Sequence, residues 1–293
     1  MHKNSVNKYL QLHFIVFIWG FTAVLGKLIS ISAIPLVWFR LLIAVVSLGI
    51  LLFYNKLKYK PSSKDLLRFA FGGFIIGLHW LTFFYAIKIS NVSITLASLS
   101  TGAFFASILE PLFFKKKIQF YEILLAGITV IGIAYIFNVQ VAYSKGIIIA
   151  LISAFLSALF SIVNANYIKK YDAKILTFYE LFFALLLISV FMLINNEFNV
   201  SLFHLSTKDL LYLLILGTIC TAFALTYSNK LLSKVTPFTM MLTVNLEPVY
   251  GIILAILIFK ESEYMNAHFY YGAFLILATV ILNGIIKTLK KDN

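Results

Sequence analysis

A glutamate and a proline stand side by side at Glu247-Pro248, in a run with no other charge between Lys234 and Lys260. A charge at the centre of a membrane helix costs roughly 2.5–3.5 kcal/mol on insertion scales. Proline removes a backbone donor and frees the carbonyl four residues earlier, here that of Val244. At that depth a freed carbonyl is tolerated only where it lines water or protein. Counted from Pro237, Glu247 falls about 15 Å along a helix, near the middle of a ~30 Å hydrocarbon core. The pair therefore reads as a midplane binding point for a proton or a substrate ammonium, with a structural ion pair and packing kink as the plainer alternative. Thr239, Thr243 and Glu247 recur every four residues and share a helix face, and Asn245 is grouped with them. Thr95, Ser98 and Thr101 form a comparable hydroxyl stripe, readable as solute ligands or as helix-packing contacts.

Other intramembrane polar residues extend the candidate site. His79 could relay protons or hold a carboxylate, and Trp80 and Trp19 could supply aromatic walls. Arg40 and Glu180 lie at comparable places in two similar segments and read as a gating or structural ion pair, with Arg40 attracting an anionic substrate group or snorkelling outward as the alternatives. Lys27, near a span end, reads as snorkelling to the interface. Gly73 and Gly77 form a GxxxG, which permits close helix contact.

These residues need elements to hold them, and composition says which. Of the 293 residues, 61% are hydrophobic and 12% charged, where a soluble domain carries about a quarter charged. The chain reads as an all-α integral membrane protein. No alternating ten-residue strands point to a β-barrel. Cys220 alone cannot build a disulfide framework or a cysteine metal cluster. The basic, apolar N-terminus lacks a cleavage pattern and reads as a first span. Apolar runs at 9–29, 35–54, 66–87, 93–113, 119–138, 145–168, 174–194, 208–229, 236–259 and 266–287 predict ten transmembrane helices. An even number puts both termini on one side. That side collects eighteen lysines and arginines against four on the other, which places both termini in the cytoplasm and the chain in the cytoplasmic membrane. The net charge of +13 follows from this bias and requires no nucleic acid.

The chain also repeats itself. Ser100–Gln119 lies over Asn245–Tyr264 at an offset of 145, and VWFRLLIA (Val37–Ala44) lies over TFYELFFA (Thr177–Ala184) at an offset of 140. Five spans per repeat give halves of opposite orientation, 1–140 and 141–293, an arrangement typical of alternating-access carriers with a midplane site. The segments FIWGFTAVLGK, PLVWFRLLIA, NVSITLASLSTGAFFASILEPLFFKKKI and NLEPVYGIILAILIFKES make the whole chain resemble an EamA-type member of the drug/metabolite transporter superfamily. That resemblance implies two inverted five-helix bundles around a cavity lined by spans 1–4 and 6–9, with spans 5 and 10 peripheral. It leaves the substrate open. One departure is that Gly102-Ala103 stand where the second half has Glu247-Pro248.

The expected function is a secondary transporter for a small polar metabolite, an amino acid or a related compound. The partners expected are that solute, protons as a candidate coupling ion, and the bilayer, with a homodimer admitted. An intramembrane enzyme or a channel is the alternative. No HExxH, GxSxG or P-loop supports the enzyme, and no cofactor is expected.

Overall fold

The computed structural model describes residues 2–57, 59–115, 120–234, 240, 243–244 and 246–289. All secondary structure among them is helical. In chain order the helices are α1 (His2–Leu28), α2 (Ala33–Tyr54), α3 (Ser63–Ile89), α4 (Val92–Leu99), α5 (Gly102–Phe114) and α6 (Phe120–Val139). There follow α7 (Ser144–Tyr167), α8 (Ala173–Ile194), α9 (Thr207–Gly217), a π-helical turn at Thr218–Phe223, α10 (Ala224–Leu232), α11 (Glu247–Phe259) and α12 (Ala267–Leu289). Seven helical stretches are long and apolar enough to cross a bilayer, and shorter apolar helices cover Gly127–Asn138, Glu247–Phe259 and Ala267–Thr279. Large side chains such as Phe53, Phe71, Ile194 and Phe274 face outward. A water-soluble monomer could not carry so much apolar surface, so this is a multi-pass membrane protein.

Polar residues at the span ends define where helices begin. Ser62 accepts from Asp65 N while Asp65 accepts from Ser62 N, a reciprocal cap on α3. Asn91 caps α4 and Ser206 caps α9 in the same one-sided or paired manner. These caps also tie helices together. Asp65 takes hydrogen bonds from Tyr59, Lys170 and Tyr171, whereas Asp209 takes them from Ser30 N at 2.7 Å and Ser30 Oγ at 2.6 Å. Lys27 does not snorkel. Its ammonium lies 2.8 Å from Glu263, whose fully buried carboxylate also accepts from Val92 N and Ser93 N at the start of α4. A buried carboxylate needs both kinds of partner, and an interfacial lysine is the nearest cation.

Two spans read as continuous are interrupted. Residues 93–113 divide at Ser100-Thr101 into α4 and α5. In the run 236–259, the described helix α11 begins at Glu247, with Pro248 in its first turn, where a missing N–H costs nothing. Glu247 thus stands at a helix start, not midway along an unbroken helix. The two interrupted helices, α5 and α11, begin 145 residues apart.

Pairwise contacts give helix directions. Trp38 Nε1 donates to Ser189 Oγ, and Gly49 abuts Phe178, so α2 and α8 run antiparallel. Thr129 with Thr279 and Gly132 with Ile276 make α6 and α12 antiparallel, packed mainly on each other. Gly20 against Gly251 and Lys27 over Phe259 make α1 and α11 parallel. Gly73 and Gly77 let α3 lie close and parallel to α8, against Phe183 and Ala184, as the GxxxG reading expects.

Candidate functional site

A cavity sits among α1, α2, α3, α4, α7, α10 and α11. Its volume is about 80 Å³. At about 10–15 Å³ per water, that holds a few waters or a small solute in this conformation.

Arg40 enters the cavity from α2, on a side chain only 2% exposed. Its guanidinium lies over the Trp80 ring at 3.8 Å and near Phe84 at 5.4 Å. Nε donates to Thr221 Oγ1 at 2.6 Å. The acceptor is placed by the π-helical turn, in which Thr221 Oγ1 itself donates to Leu216 O five residues back. Such turns widen a helix and often mark functional positions. Nη1 is buried without a hydrogen-bond partner. A planar fork held by an aromatic face and one hydroxyl, with a donor left over, is suited to binding a carboxylate.

Glu247 lines the same cavity at the start of α11. No ion pair to it occurs among the described residues. His79 reaches the cavity from α3, with Nδ1 held at 2.8 Å from Ser153 Oγ and 2.9 Å from Ser153 O. Trp19 and Trp80 form aromatic walls from α1 and α3.

So Trp19, Arg40, His79, Trp80 and Glu247 converge on one cavity. Ser98, Thr101, Thr243 and Pro248 are buried but lie outside its lining. Thr101 Oγ1 donates to Ser98 O, spending its hydroxyl on the broken end of α4. Thr243 does not line the cavity; Met240 and Val244 line it beside Glu247. Thr239 and Asn245 lie outside the described residues.

The gating pair expected of Arg40 and Glu180 is not formed. The Trp38–Ser189 and Gly49–Phe178 contacts set Arg40 level with residue 187 of α8, and the seven residues to Glu180 span roughly 10 Å. Glu180 instead accepts from Asn164 Nδ2 at 3.2 Å.

Sequence reasoning missed Ser157 and Ser161 of α7 and Ser228 and Asn229 of α10, all of which line the cavity. Their signal was present. Ser157, Ser161 and Asn164 follow a 4-then-3 spacing, and Leu225, Ser228, Asn229 and Leu232 mark one face of α10.

The EamA-like transporter family model matches residues 8–138 and again residues 144–285. The chain belongs to the EamA-like transporter family. A relative from Bacillus subtilis (strain 168), the uncharacterized transporter YdfC, is 26% identical over 234 residues, covering 78% of this chain and 76% of the relative. One solved crystal structure superposes with a TM-score of 0.66 at 12% identity, covering 96% of this chain and 98% of the other. At that identity the likeness concerns the fold alone. As an EamA-like protein, the chain is a membrane transporter whose cavity residues carry the question of substrate.

Proposed function

We propose that this EamA-like protein is a secondary transporter moving a small polar metabolite, an amino acid or a related compound, across the cytoplasmic membrane by alternating access. The observation that carries the reading is a pair of opposite charges on one small cavity, with no salt bridge between them. Arg40 keeps a free Nη1 and Glu247 has no ion-pair partner among the described residues. Buried charges are retained only when paired or needed. A solute carrying a carboxylate and an ammonium would satisfy both at once, with Trp19 and Trp80 closing over its apolar part.

The mechanism rests on ten spans in two inverted halves, 1–140 and 141–293, with both termini cytoplasmic. Three observations support this reading. The helix directions found for α1 with α11, α2 with α8, α3 with α8 and α6 with α12 are those of ten alternating spans. The family model matches twice. The interrupted helices α5 and α11 begin at the 145-residue offset of the sequence repeat. Broken helices in corresponding positions of two halves are what rocking about a central site uses.

Uptake of radiolabelled amino acids into proteoliposomes, with betaines and simple amines as controls, tests the reading. Arg40→Met should abolish uptake of carboxylate-bearing solutes, and Glu247→Gln that of ammonium-bearing ones. Wild-type rates for both variants would place the site elsewhere.

A further inference from the structure

Glu180 is used by neither the cavity lining nor any ion pair among the described residues. It is wholly buried on α8, Oε2 accepts from Asn164 Nδ2 at 3.2 Å, and Oε1 has no partner. Asn164 Nδ2 also donates to Asn229 Oδ1 at 3.2 Å, and Asn229 Nδ2 donates to Thr177 Oγ1 at 3.0 Å. Asn164 Oδ1 is buried and unpartnered as well. Both asparagines line the cavity. They form the connection between it and Glu180.

The charged and titratable groups around Glu180 are occupied elsewhere or distant. On α3, Arg68 binds Asp65 and Tyr171, and His79 is held by Ser153. On α2, Arg40 lies level with residue 187 of α8, roughly 10 Å along the helix from Glu180. Tyr167 of α7 lies within electrostatic reach of Glu180 and is uncharged. On α10, Lys230 is exposed, and α8 itself adds only Lys174 and Tyr179. None forms a hydrogen bond or ion pair with Glu180. A carboxylate so placed, with one neutral hydrogen bond, is neutralised rather than kept as an ion.

The neutralising species has little room. A Cβ built on Gly72 would sit 2.3 Å from Glu180 Oε1, so that oxygen lies against the backbone of α3. A sodium ion would need several further oxygens around it, whereas a proton needs none. We propose that Glu180 is a proton-binding site reached from the cavity through Asn164 and Asn229, and that its proton is the coupling ion. This rests on the transporter reading and leaves Glu247 to bind solute. When the cavity opens to one side, water reaches Oε2 past the asparagines and the carboxylic acid passes its proton to it. When the cavity opens to the other side, the carboxylate takes a proton from water there, so that one proton crosses per cycle.

Infrared difference spectroscopy of the full chain in nanodiscs, titrated with acid and base and without solute, tests the site independently of transport. Wild type should show protonated-carboxyl absorption at neutral pH, with one component lost in Glu180→Gln and that component retained in Glu247→Gln. Glu180→Asp should keep the band at a shifted frequency, which guards against a folding defect in the glutamine variant. An unchanged band in Glu180→Gln overturns the proposal. Thermal stabilisation by sodium chloride over choline chloride at equal ionic strength, lost in Glu180→Gln, would also overturn it in favour of sodium. In proteoliposomes, Glu180→Gln should keep exchange of a labelled amino acid but lose its response to an imposed pH gradient; retention of that response counts against the coupling role. Should wild type move no amino acid, the transport reading fails while the infrared band still decides Glu180.

Discussion

Replacing Thr221 by valine removes one hydroxyl and keeps the β-branched shape. The hydroxyl accepts from Arg40 Nε at 2.6 Å, inside a buried setting where Nη1 is already without a partner. A hydrogen bond to a charged group contributes roughly 1.5–3 kcal/mol. At about 2–4 °C per kcal/mol for chains of this size, the melting temperature should fall by roughly 3–12 °C. The protein supplies its own probe. Cys220 is the one cysteine, is 2% exposed and adjoins Thr221, so a thiol-reactive fluorogenic dye reports unfolding without an engineered label. The decisive comparison is a double-mutant cycle. In an Arg40→Met background there is no guanidinium to strand, and Thr221→Val should then cost little. Arg40→Met alone should leave stability equal or higher, because a buried unpaired charge gives way to an apolar side chain. An equal loss from Thr221→Val in both backgrounds would refute the reasoning, since the cost would then lie in the π-helical turn itself.

Further outcomes are expected from the close helix contacts and the topology. A Cβ at Gly251 would lie 2.2 Å from Leu96 Cδ1 and 3.1 Å from Gly20 O; Gly251→Ala should lower the melting temperature modestly as Leu96 yields, and Gly251→Leu should prevent α1 and α11 from packing, read by size-exclusion chromatography in detergent. Gly72→Ala pushes the Glu180 carboxylate off α3 and should reproduce the infrared change of Glu180→Gln while Glu180 is still present. In a Cys220→Ser background, a cysteine at Ser62 should be shielded from impermeant reagent in intact cells and one at Asn199 should react; the reverse pattern would invert the proposed orientation. Pro248→Ala should impair transport less than Glu247→Gln, because an N–H in the first turn of α11 adds no helix bond and the carboxylate stays in the cavity.

What the sequence determined by itself was the solvent, the element type and the family. A chain that is 61% hydrophobic and 12% charged has one stable course, helices that satisfy their own backbone in lipid. The motifs around Trp19-Gly20, Arg40 and Glu247-Pro248 carried the EamA resemblance, which the family match bears out. The Glu247-Pro248 pair also announced a break, since proline cannot donate wherever it falls. The break between α4 and α5 at Ser100-Thr101 carries no proline and was not legible.

Only the tertiary structure decided which polar residues meet. Helical periodicity says that residues share a face, but not which neighbour that face finds. Arg40 and Glu180 look equivalent along the chain, yet antiparallel packing of α2 on α8 sets them roughly 10 Å apart. Arg40 found its partners on α3 and in a π-helical turn that no local signal marks. Ser157 and Ser161 of α7 and Asn229 of α10 share helix faces along the chain, but only the bundle shows that those faces meet the cavity. Glu180, read as half of an ion pair, was left against a glycine with one oxygen unpartnered. In a membrane, spans are specified by their own composition, while the site depends on the register between them, and register is set by small residues and hydrogen bonds summed over the whole bundle.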